Sequence, residues 1–392
     1  MTTTHGTPDA SEGPGTMPTA QSATQPLDRP SDIDQGPEPQ SSMLTVEAAA
    51  ERIFAAALGT VETFSIYLGD RLGWYRSLSD DGPATAAELA SRTGSQERYA
   101  REWLEQQAAS GLLQVEPDRR FSIQPGLAEA MLDEHSLGFI GPLPALFATT
   151  ARQLDRLVTA YRDGGGVSWA DLGDSAREGQ AALNRPWFES ALPDALHGIA
   201  DLDQRLTWPG ARIADVGCGG GWSTIALART YPDAVLTGID IDEPTVEMAR
   251  NNVVDAGLTD RVKIRSGDAR DLAGGARYDA VFAFECLHDM PYPVQVLNAM
   301  RNATEPDGQV VIMDEAVADT FTAPSDEIDR FMYGASLLVC LPDGMSAPDS
   351  AGTGTVMRRP VLESYATRAG FESVEVLPIE DFSFFRFYRL RR

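Results

Sequence analysis

A glycine-rich segment at residues 215–221 is a candidate ligand-binding turn, because it follows a short apolar run and opens a helical pattern. Its glycines repeat as G-x-G-x-G; they are Gly217, Gly219 and Gly221. Glycine lets the backbone turn tightly and approach a ligand, with the N–H groups of the following helix behind it. Asp240 ends the next apolar run, where a carboxylate can accept hydrogen bonds from both hydroxyls of a ribose. The pattern predicts a site for a ligand that contains a ribose.

Two features of this segment distinguish it from a dinucleotide-binding turn. The spacing is G-x-G-x-G rather than G-x-G-x-x-G, and Asp215 stands inside the strand end, where a dinucleotide site has no acid. An NAD ribose on Asp240 is therefore the less favoured alternative.

A second group of reactive side chains follows a later apolar run, at residues 284–290. His288 could deprotonate a phenol or a carboxylic acid, because a histidine titrates near neutral pH. Glu285 is a second candidate base. His288 and Asp289 could also supply two metal ligands, but no later histidine completes a set, and the three cysteines form no CxxC pair. We therefore expect no metal site and no disulfide framework.

The elements that must position these residues alternate between strands and helices. Short apolar runs occur at residues 213–216, 235–239, 262–264, 280–284 and 309–313, with helical segments between them. This alternation predicts βαβ units and a mostly parallel, Rossmann-like α/β sheet. Two further strands, at residues 372–378 and 382–390, predict an antiparallel edge at the C-terminal end of the sheet.

The amino-terminal part has a different pattern. Two short helices are followed by two short strands around a polar turn at Pro117-Asp118, the element order of a winged helix. Residues 1–42 contain almost no aliphatic side chains, so they cannot bury enough surface to offset the entropy of ordering. We therefore expect four segments, which are a disordered tail (1–42), a winged-helix domain (43–125), helices of a linker and acceptor pocket (126–205) and a ligand-binding α/β domain (206–392).

Taken together, the motifs of residues 205–392 resemble those of class I S-adenosylmethionine (SAM) dependent methyltransferases. Asp215 and the three glycines match the first motif of that family, and Asp240 matches its ribose-binding acid. The segment Gly267-Asp268-Ala269 matches the part that meets the adenine amino group, and Phe284-Glu285 matches the edge of the methionine pocket. The resemblance implies SAM as cofactor, with Cys218, Ile241 and Ala269 also at its site.

Residues 287–289, Leu-His-Asp, resemble the Leu-His-Asp-Trp motif of plant-type small-molecule O-methyltransferases. His288 matches the catalytic histidine of that motif, whereas Met290 replaces its tryptophan. The resemblance implies O-methylation with His288 as the base. Carbon methylation with Glu285 as the base is an alternative.

The acceptor pocket is expected to draw on two regions. An insertion at residues 314–357 contains Phe331 and Tyr333, and inserts at this place in the family usually line the acceptor pocket. Tyr67 and Trp74 are expected to enter from the amino-terminal domain. These side chains predict a small, apolar or aromatic acceptor.

The winged helix allows two interpretations. In the small-molecule O-methyltransferases this module mediates dimerisation, so a homodimer is expected; an actinobacterial group that this chain resembles has been labelled as possible regulators. The second helix of the module, residues 96–107, is net negative, and the chain has a net charge of −26. Both properties oppose DNA binding, because a DNA-reading surface is basic. A SAM-binding regulator nevertheless remains an alternative.

The sequence contains no apolar run of 18 residues and no basic-then-apolar amino terminus. We therefore expect no membrane span, no signal peptide and a cytoplasmic protein.

Overall fold

The structure is a computed structural model that describes residues 43–275 and 277–392. The segment predicted to be a disordered tail, residues 1–42, lies outside the described residues. The chain divides into two units after residue 53. The described part of the first unit contains the start of helix α1 (Val46–Arg71), and the second unit contains all elements from α2 onward.

A winged-helix arrangement follows α1, as the sequence predicts. Its elements are α2 (Trp74–Asp80), α3 (Ala86–Thr93), α4 (Glu97–Ala109), β1 (Leu113–Val115) and β2 (Phe121–Ile123). Helix α3 begins at a capping box in which Thr85 and Glu88 satisfy each other's backbone N–H groups. It ends at Gly94, whose φ of +66° favours glycine. The strands β1 and β2 pair antiparallel to form the wing.

Seven helices lead from the wing to the large sheet. They are α5 (Pro125–Leu132), α6 (Leu143–Ala151), α7 (Leu154–Asp163), α8 (Trp169–Leu172), α9 (Asp174–Pro186), α10 (Leu192–His197) and α11 (Ala200–Leu206). A π-helical turn, Trp187–Ala191, joins α9 to α10.

The large sheet has seven strands in the order β5-β4-β3-β6-β7-β9-β8. The strands are β3 (Arg212–Val216), β4 (Val235–Asp240), β5 (Val262–Ser266), β6 (Tyr278–Phe284), β7 (Thr304–Glu315), β8 (Ser373–Val376) and β9 (Phe385–Arg391). Strands β3 to β7 pair parallel, while β9 pairs antiparallel with both β7 and β8. The predicted parallel sheet with an antiparallel C-terminal edge is therefore confirmed.

Helices cover the sheet on both faces. They include α12 (Trp222–Thr230), α13 (Glu243–Asp255), α14 (Pro293–Ala303) and α17 (Arg359–Arg368). Helices α15 (Glu327–Ala335) and α16 (Leu341–Gly344) belong to the insertion at residues 314–357. In β6, Ala280 and Phe282 pack into the core on one face, and Val281 and Ala283 pack into the core on the other. Burial on both faces explains why these strands are continuous apolar runs. Among the described residues, no helix combines the length and apolar composition that a membrane crossing requires.

Candidate functional site

The glycine-rich turn joins the end of β3 to the start of α12. Gly217, Gly219 and Gly221 have φ values of +67°, +50° and +81°, which side chains rarely adopt. A Cβ atom on Gly217 would lie 2.7 Å from Sγ of Cys286, and one on Gly221 would lie 3.1 Å from Cβ of Ala249 on α13. The G-x-G-x-G pattern therefore meets both a backbone requirement and a packing requirement.

Asp240 closes this turn from the end of β4. Its Oδ2 accepts a hydrogen bond from the N–H of Gly219 at 2.9 Å, and its Oδ1 accepts one from the N–H of Asp242 at 3.0 Å. Burial raises the pKa of Asp240, although these backbone hydrogen bonds oppose the shift. Asp242 is bound in turn by two nitrogens of the Arg177 guanidinium, at 2.6 and 2.9 Å.

Asp215 lies beneath the turn and is 1% exposed. Its Oδ2 accepts hydrogen bonds from the hydroxyl groups of Ser223 at 2.6 Å and Thr224 at 2.5 Å, so it binds the first turn of α12. Its Oδ1 is buried and accepts no hydrogen bond from the described residues. Burial raises the pKa of Asp215 to about 6, and the two hydroxyl groups oppose that shift.

Asp268 lies at the next strand end and begins a 3₁₀ turn, Ala269–Gly274. Its Oδ2 accepts hydrogen bonds from Nε of Arg270 at 3.0 Å and from Nη2 at 2.6 Å. The hydrogen bond from Arg270 lowers the pKa of Asp268. The guanidinium also lies 4.3 Å from the ring centroid of Tyr292, so Arg270 bridges an acid and an aromatic ring.

A cavity of about 680 Å³ opens at the carboxyl ends of β3, β4 and β6. The predicted site residues that line it are Gly217, Cys218, Gly219, Asp240, Ile241, Asp268, Ala269, Glu285 and His288. Three others do not line it, because Asp215 lies beneath the turn, Gly221 packs on α13, and Phe284 packs in the core against Phe188 and Phe282. The structure thus brings most of the predicted cofactor residues and both candidate bases to one cavity.

Glu285 follows β6 with a φ of +50°, a left-handed conformation that is uncommon for a residue other than glycine. Its carboxylate accepts hydrogen bonds from the side-chain amides of Gln180, at 3.2 Å, and Asn184. Burial raises the pKa of Glu285 to about 7, against the hydrogen bond from Asn184. The two amides therefore hold this carboxyl group against the wall of the cavity.

His288 lies in the loop after β6 and its side chain is 2% exposed. Its Nδ1 is 2.8 Å from Oδ1 of Asp314 and 3.1 Å from Oε2 of Glu315, both at the end of β7. Its Nε2 is 3.2 Å from Oδ1 of Asp289. Burial alone would lower the pKa of His288, but the carboxylates of Asp289 and Asp314 outweigh it and raise the pKa well above the ordinary value. Burial also raises the pKa of Glu315, and the neighbouring His288 opposes that shift.

None of the four residues predicted to line the acceptor pocket, which are Tyr67, Trp74, Phe331 and Tyr333, lines this cavity. Trp74 is 2% exposed, and its indole N–H donates to Thr93 and Ser95 inside the winged-helix domain, because that domain needs large side chains for its own core. The other three side chains make contacts outside the cavity. The Tyr67 hydroxyl accepts a hydrogen bond from Arg152, and the Tyr333 hydroxyl accepts one from Arg358. Phe331 packs edge-to-face on Phe147.

The sequence analysis also missed polar and aromatic residues of the cavity wall, among them Trp169, Arg177, Gln180, Asn184 and Asp343. The three on α9 recur at intervals of three and four residues, so they share one helix face. A polar stripe of this kind, on a helix that must cover a sheet, is the signal that could have found them. Asp343 offered no such signal.

Comparison with known proteins identifies the two parts of the chain. Residues 208–338 match the family model described as "Methyltransferase domain", and residues 60–132 match the one described as "Rv2258c-like winged HTH domain". A ubiquinone biosynthesis O-methyltransferase of Stutzerimonas stutzeri is 29% identical over 136 residues, which are 33% of this chain and 58% of that protein. The 27-O-demethylrifamycin SV methyltransferase of Amycolatopsis mediterranei is 37% identical over 124 residues, which are 31% of this chain and 43% of that protein. The chain thus spans about half the length of these curated relatives.

The fold extends further than these sequence matches. The structure of the mitomycin 7-O-methyltransferase MmcR superposes with a TM-score of 0.67 at 22% identity, covering 88% of this chain and 98% of the other. At that identity the likeness establishes the two-domain fold.

Proposed function

We propose that this chain, which carries a winged helix-turn-helix domain followed by a methyltransferase domain, transfers a methyl group from SAM to oxygen on a small, apolar or aromatic organic acceptor. The observation that carries the proposal is the shared cavity. The glycine turn, Asp240 and His288 line one cavity, so a ribose-containing ligand bound there would lie close to a general base. Tailoring of natural products is the role we expect, since the relatives include a methyltransferase for a rifamycin.

The residues present fit SAM. A Cβ atom at Gly219 would meet no atom within 4 Å, so the turn leaves open space beside the cavity for a close ligand. Asp215 holds a buried oxygen with no partner among the described residues, beneath the turn that would receive the amino-acid end of SAM. Asp240 would bind the ribose and Asp268 would lie at the adenine, as the family resemblance implies.

When bound, SAM supplies an electrophilic methyl group. Transfer of that group requires placement of the acceptor and a base for its proton. His288 can act as that base through Nε2, because Nδ1 lies within hydrogen-bond distance of Asp314 and its proton is thereby held away from the cavity. Asp314 and Glu315 are positioning residues, since they orient the ring and stabilise its charged form.

The two alternatives are less favoured. For carbon methylation, two amides already occupy the carboxyl group of Glu285, and the relatives above include O-methyltransferases by name. For a DNA-binding regulator, the arginines of α4 are already engaged in ion pairs. These pairs are Arg98 with Glu102 and Arg101 with Glu97, both at 2.5 Å.

An S-adenosylhomocysteine release assay tests the proposal. The protein is incubated with SAM and pooled phenols, acids, amines and prenyl compounds, alongside His288→Ala and Glu285→Ala. His135→Ala is the matched control, because His135 also contacts a carboxylate but is exposed on the surface. We expect the wild type, Glu285→Ala and His135→Ala to turn over an acceptor and His288→Ala to lose that turnover. Turnover lost only with Glu285→Ala would indicate carbon methylation, and SAM binding without any turnover would favour the regulator.

A homodimer is part of this proposal. Helix α1 exposes apolar side chains at intervals of three and four residues, so they form one stripe; they are Leu58, Val61, Phe64 and Leu68, and Leu72 continues the stripe just after the helix. An exposed stripe of this length is typical of an interface, and a second copy of the chain is the partner we propose. The double variant V61D/L68D is expected to sediment as a monomer where the wild type sediments as a dimer. A dimer that survives both charges would contradict this assignment.

A cytoplasmic location is also proposed. It is supported by three free cysteines, of which Cys218 and Cys286 contribute to the candidate site, since such thiols persist in reducing compartments. Cell fractionation with an antibody to the chain tests it.

A further inference from the structure

One part of the cavity wall has an uneven distribution of charge. We call this region the acceptor end and define it by Trp169, Glu285, His288, Asp289, Cys340 and Asp343, all of which line the cavity. Its interpretation as the place of the acceptor rests on the proposed methyltransferase function. Three of these six residues are acidic, and one is a histidine.

The basic residues of the cavity wall are already engaged by other acids. Arg177 donates two hydrogen bonds to Asp242 and one to Asp174. Arg270 donates to Asp268 from Nε and from Nη2. Within the part of the chain that the structure describes, no arginine or lysine forms an ion pair with Asp289 or Asp343. The acceptor end therefore presents carboxyl groups that no arginine neutralises.

Asp343 belongs to the insertion and lies on α16. Its Oδ1 accepts a hydrogen bond from the backbone N–H of Trp169 at 2.7 Å, which joins the insertion to α8. Burial raises the pKa of Asp343 to about 7, and repulsion by Asp289, Asp242 and Asp240 adds to the shift. Its second oxygen keeps its capacity to accept hydrogen bonds, and the unfavourable energy of the ionised form would be relieved by a cation.

Asp289 carries an independent sign of a ligand. Its Oδ1 is buried and accepts no hydrogen bond from the described residues. The nearest cationic group is Nε2 of His288 at 3.2 Å, and that ring is shared with Asp314 and Glu315. The ring attracts Asp289 by charge but does not donate a hydrogen bond to this oxygen, so a ligand in the cavity that supplies a donor would stabilise the carboxylate further.

We propose that the methyl acceptor carries a basic, cationic nitrogen that binds Asp343 and Asp289, and that it carries no anionic group. A protonated amine would supply donors to both carboxylates and form charge-assisted hydrogen bonds. An acceptor carboxylate or phosphate would instead add a like charge to an enclosed site that has no free arginine, and would be rejected. The indole of Trp169, on the same wall, is suited to the apolar body of such a molecule.

Calorimetric binding to the full-length protein saturated with S-adenosylhomocysteine tests this proposal without turnover. The probes are tyramine, para-ethylphenol and para-hydroxyphenylacetate, which share a phenol ring and differ in the charge of the side chain. Tyramine is expected to bind about tenfold more tightly than para-ethylphenol, from one charge-assisted hydrogen bond. The acid is expected to bind more weakly than both.

Asp343→Asn is the informative variant, because an asparagine oxygen can still accept the hydrogen bond from Trp169. It is expected to reduce the tyramine advantage to about threefold or less while the affinity for para-ethylphenol stays the same. Asp289→Asn is a second variant with the same expectation. Asp349→Asn is the matched control, since Asp349 is an exposed neighbour that does not line the cavity.

The outcomes separate this proposal from the proposed function. Equal affinities for the three probes, tighter binding of the acid, or binding of none of them would overturn the cationic acceptor while leaving the methyltransferase standing. If S-adenosylhomocysteine itself does not bind, the proposed function falls and the acceptor proposal falls with it.

Discussion

Replacement of Asp240 by asparagine separates the two tasks that the structure assigns to this side chain. Both carboxylate oxygens accept backbone hydrogen bonds, from Gly219 at 2.9 Å and from Asp242 at 3.0 Å. An asparagine keeps one acceptor, so one of the two N–H groups loses its partner, at a cost of about 1–3 kcal/mol in stability. The charge that would bind the ribose hydroxyls is lost as well. A hydrogen bond to a charged group contributes about 1.5–3 kcal/mol, so the Kd for SAM is expected to rise by about tenfold to about a hundredfold.

Isothermal titration with SAM measures this change, and thermal unfolding of the free protein measures the structural part. Asp240→Ala should weaken binding by at least about 1.5 kcal/mol, because it removes both acceptors. Asp260→Asn is the control, since Asp260 is exposed and does not line the cavity. A lowered Tm combined with an unchanged Kd would refute the reasoning, because Asp240 would then serve the turn alone.

Three further predictions concern the base and the winged-helix core. His288→Ala should lower turnover by about a hundredfold or more while the Kd for S-adenosylhomocysteine stays within about twofold; equal loss of both would indicate a structural role. Burial lowers the pKa of His288, but nearby carboxylates including Asp314 outweigh burial and raise it. The neutral base therefore accumulates only as the pH rises, and kcat/KM should increase above neutral pH. Asp314→Asn removes one of these charges and should move that rise to lower pH, whereas an unmoved profile would exclude His288 as the titrating group. Gly69→Ala should lower stability by about 1–3 kcal/mol, because its Cβ atom would overlap the ring of Trp103, whereas Gly59→Ala on the same helix meets open space and should stabilise by up to about 1 kcal/mol.

The sequence was informative where chemistry depends on neighbours along the chain. The turn at residues 215–221 is specified locally, since its three glycines are required by their own φ values. Asp240 and His288 each follow an apolar run, and in a parallel sheet the carboxyl ends of neighbouring strands meet at one edge. Their common location could therefore be predicted from order and spacing alone.

Long-range packing decided the rest of the site. Glu285 meets Gln180 and Asn184, which are more than a hundred residues earlier in the chain, and helical periodicity does not tell which face of α9 meets the sheet edge. The same limit affected the aromatic residues. Trp74 is a large aromatic side chain of the kind that often lines pockets, yet it is buried in the core of its own domain.

By itself, the sequence determined the α/β class, the antiparallel edge, the winged helix and the residues of the glycine turn, because each depends on local pattern and on the geometry of strand ends. Only the tertiary structure decided which helix closes the cavity and which residue of the insertion lines it. The approach of Asp343 to Asp289 depends on α16 and the loop after β6 packing together, an arrangement that no local pattern encodes. The uneven charge of the acceptor end therefore became visible only when the chain was folded.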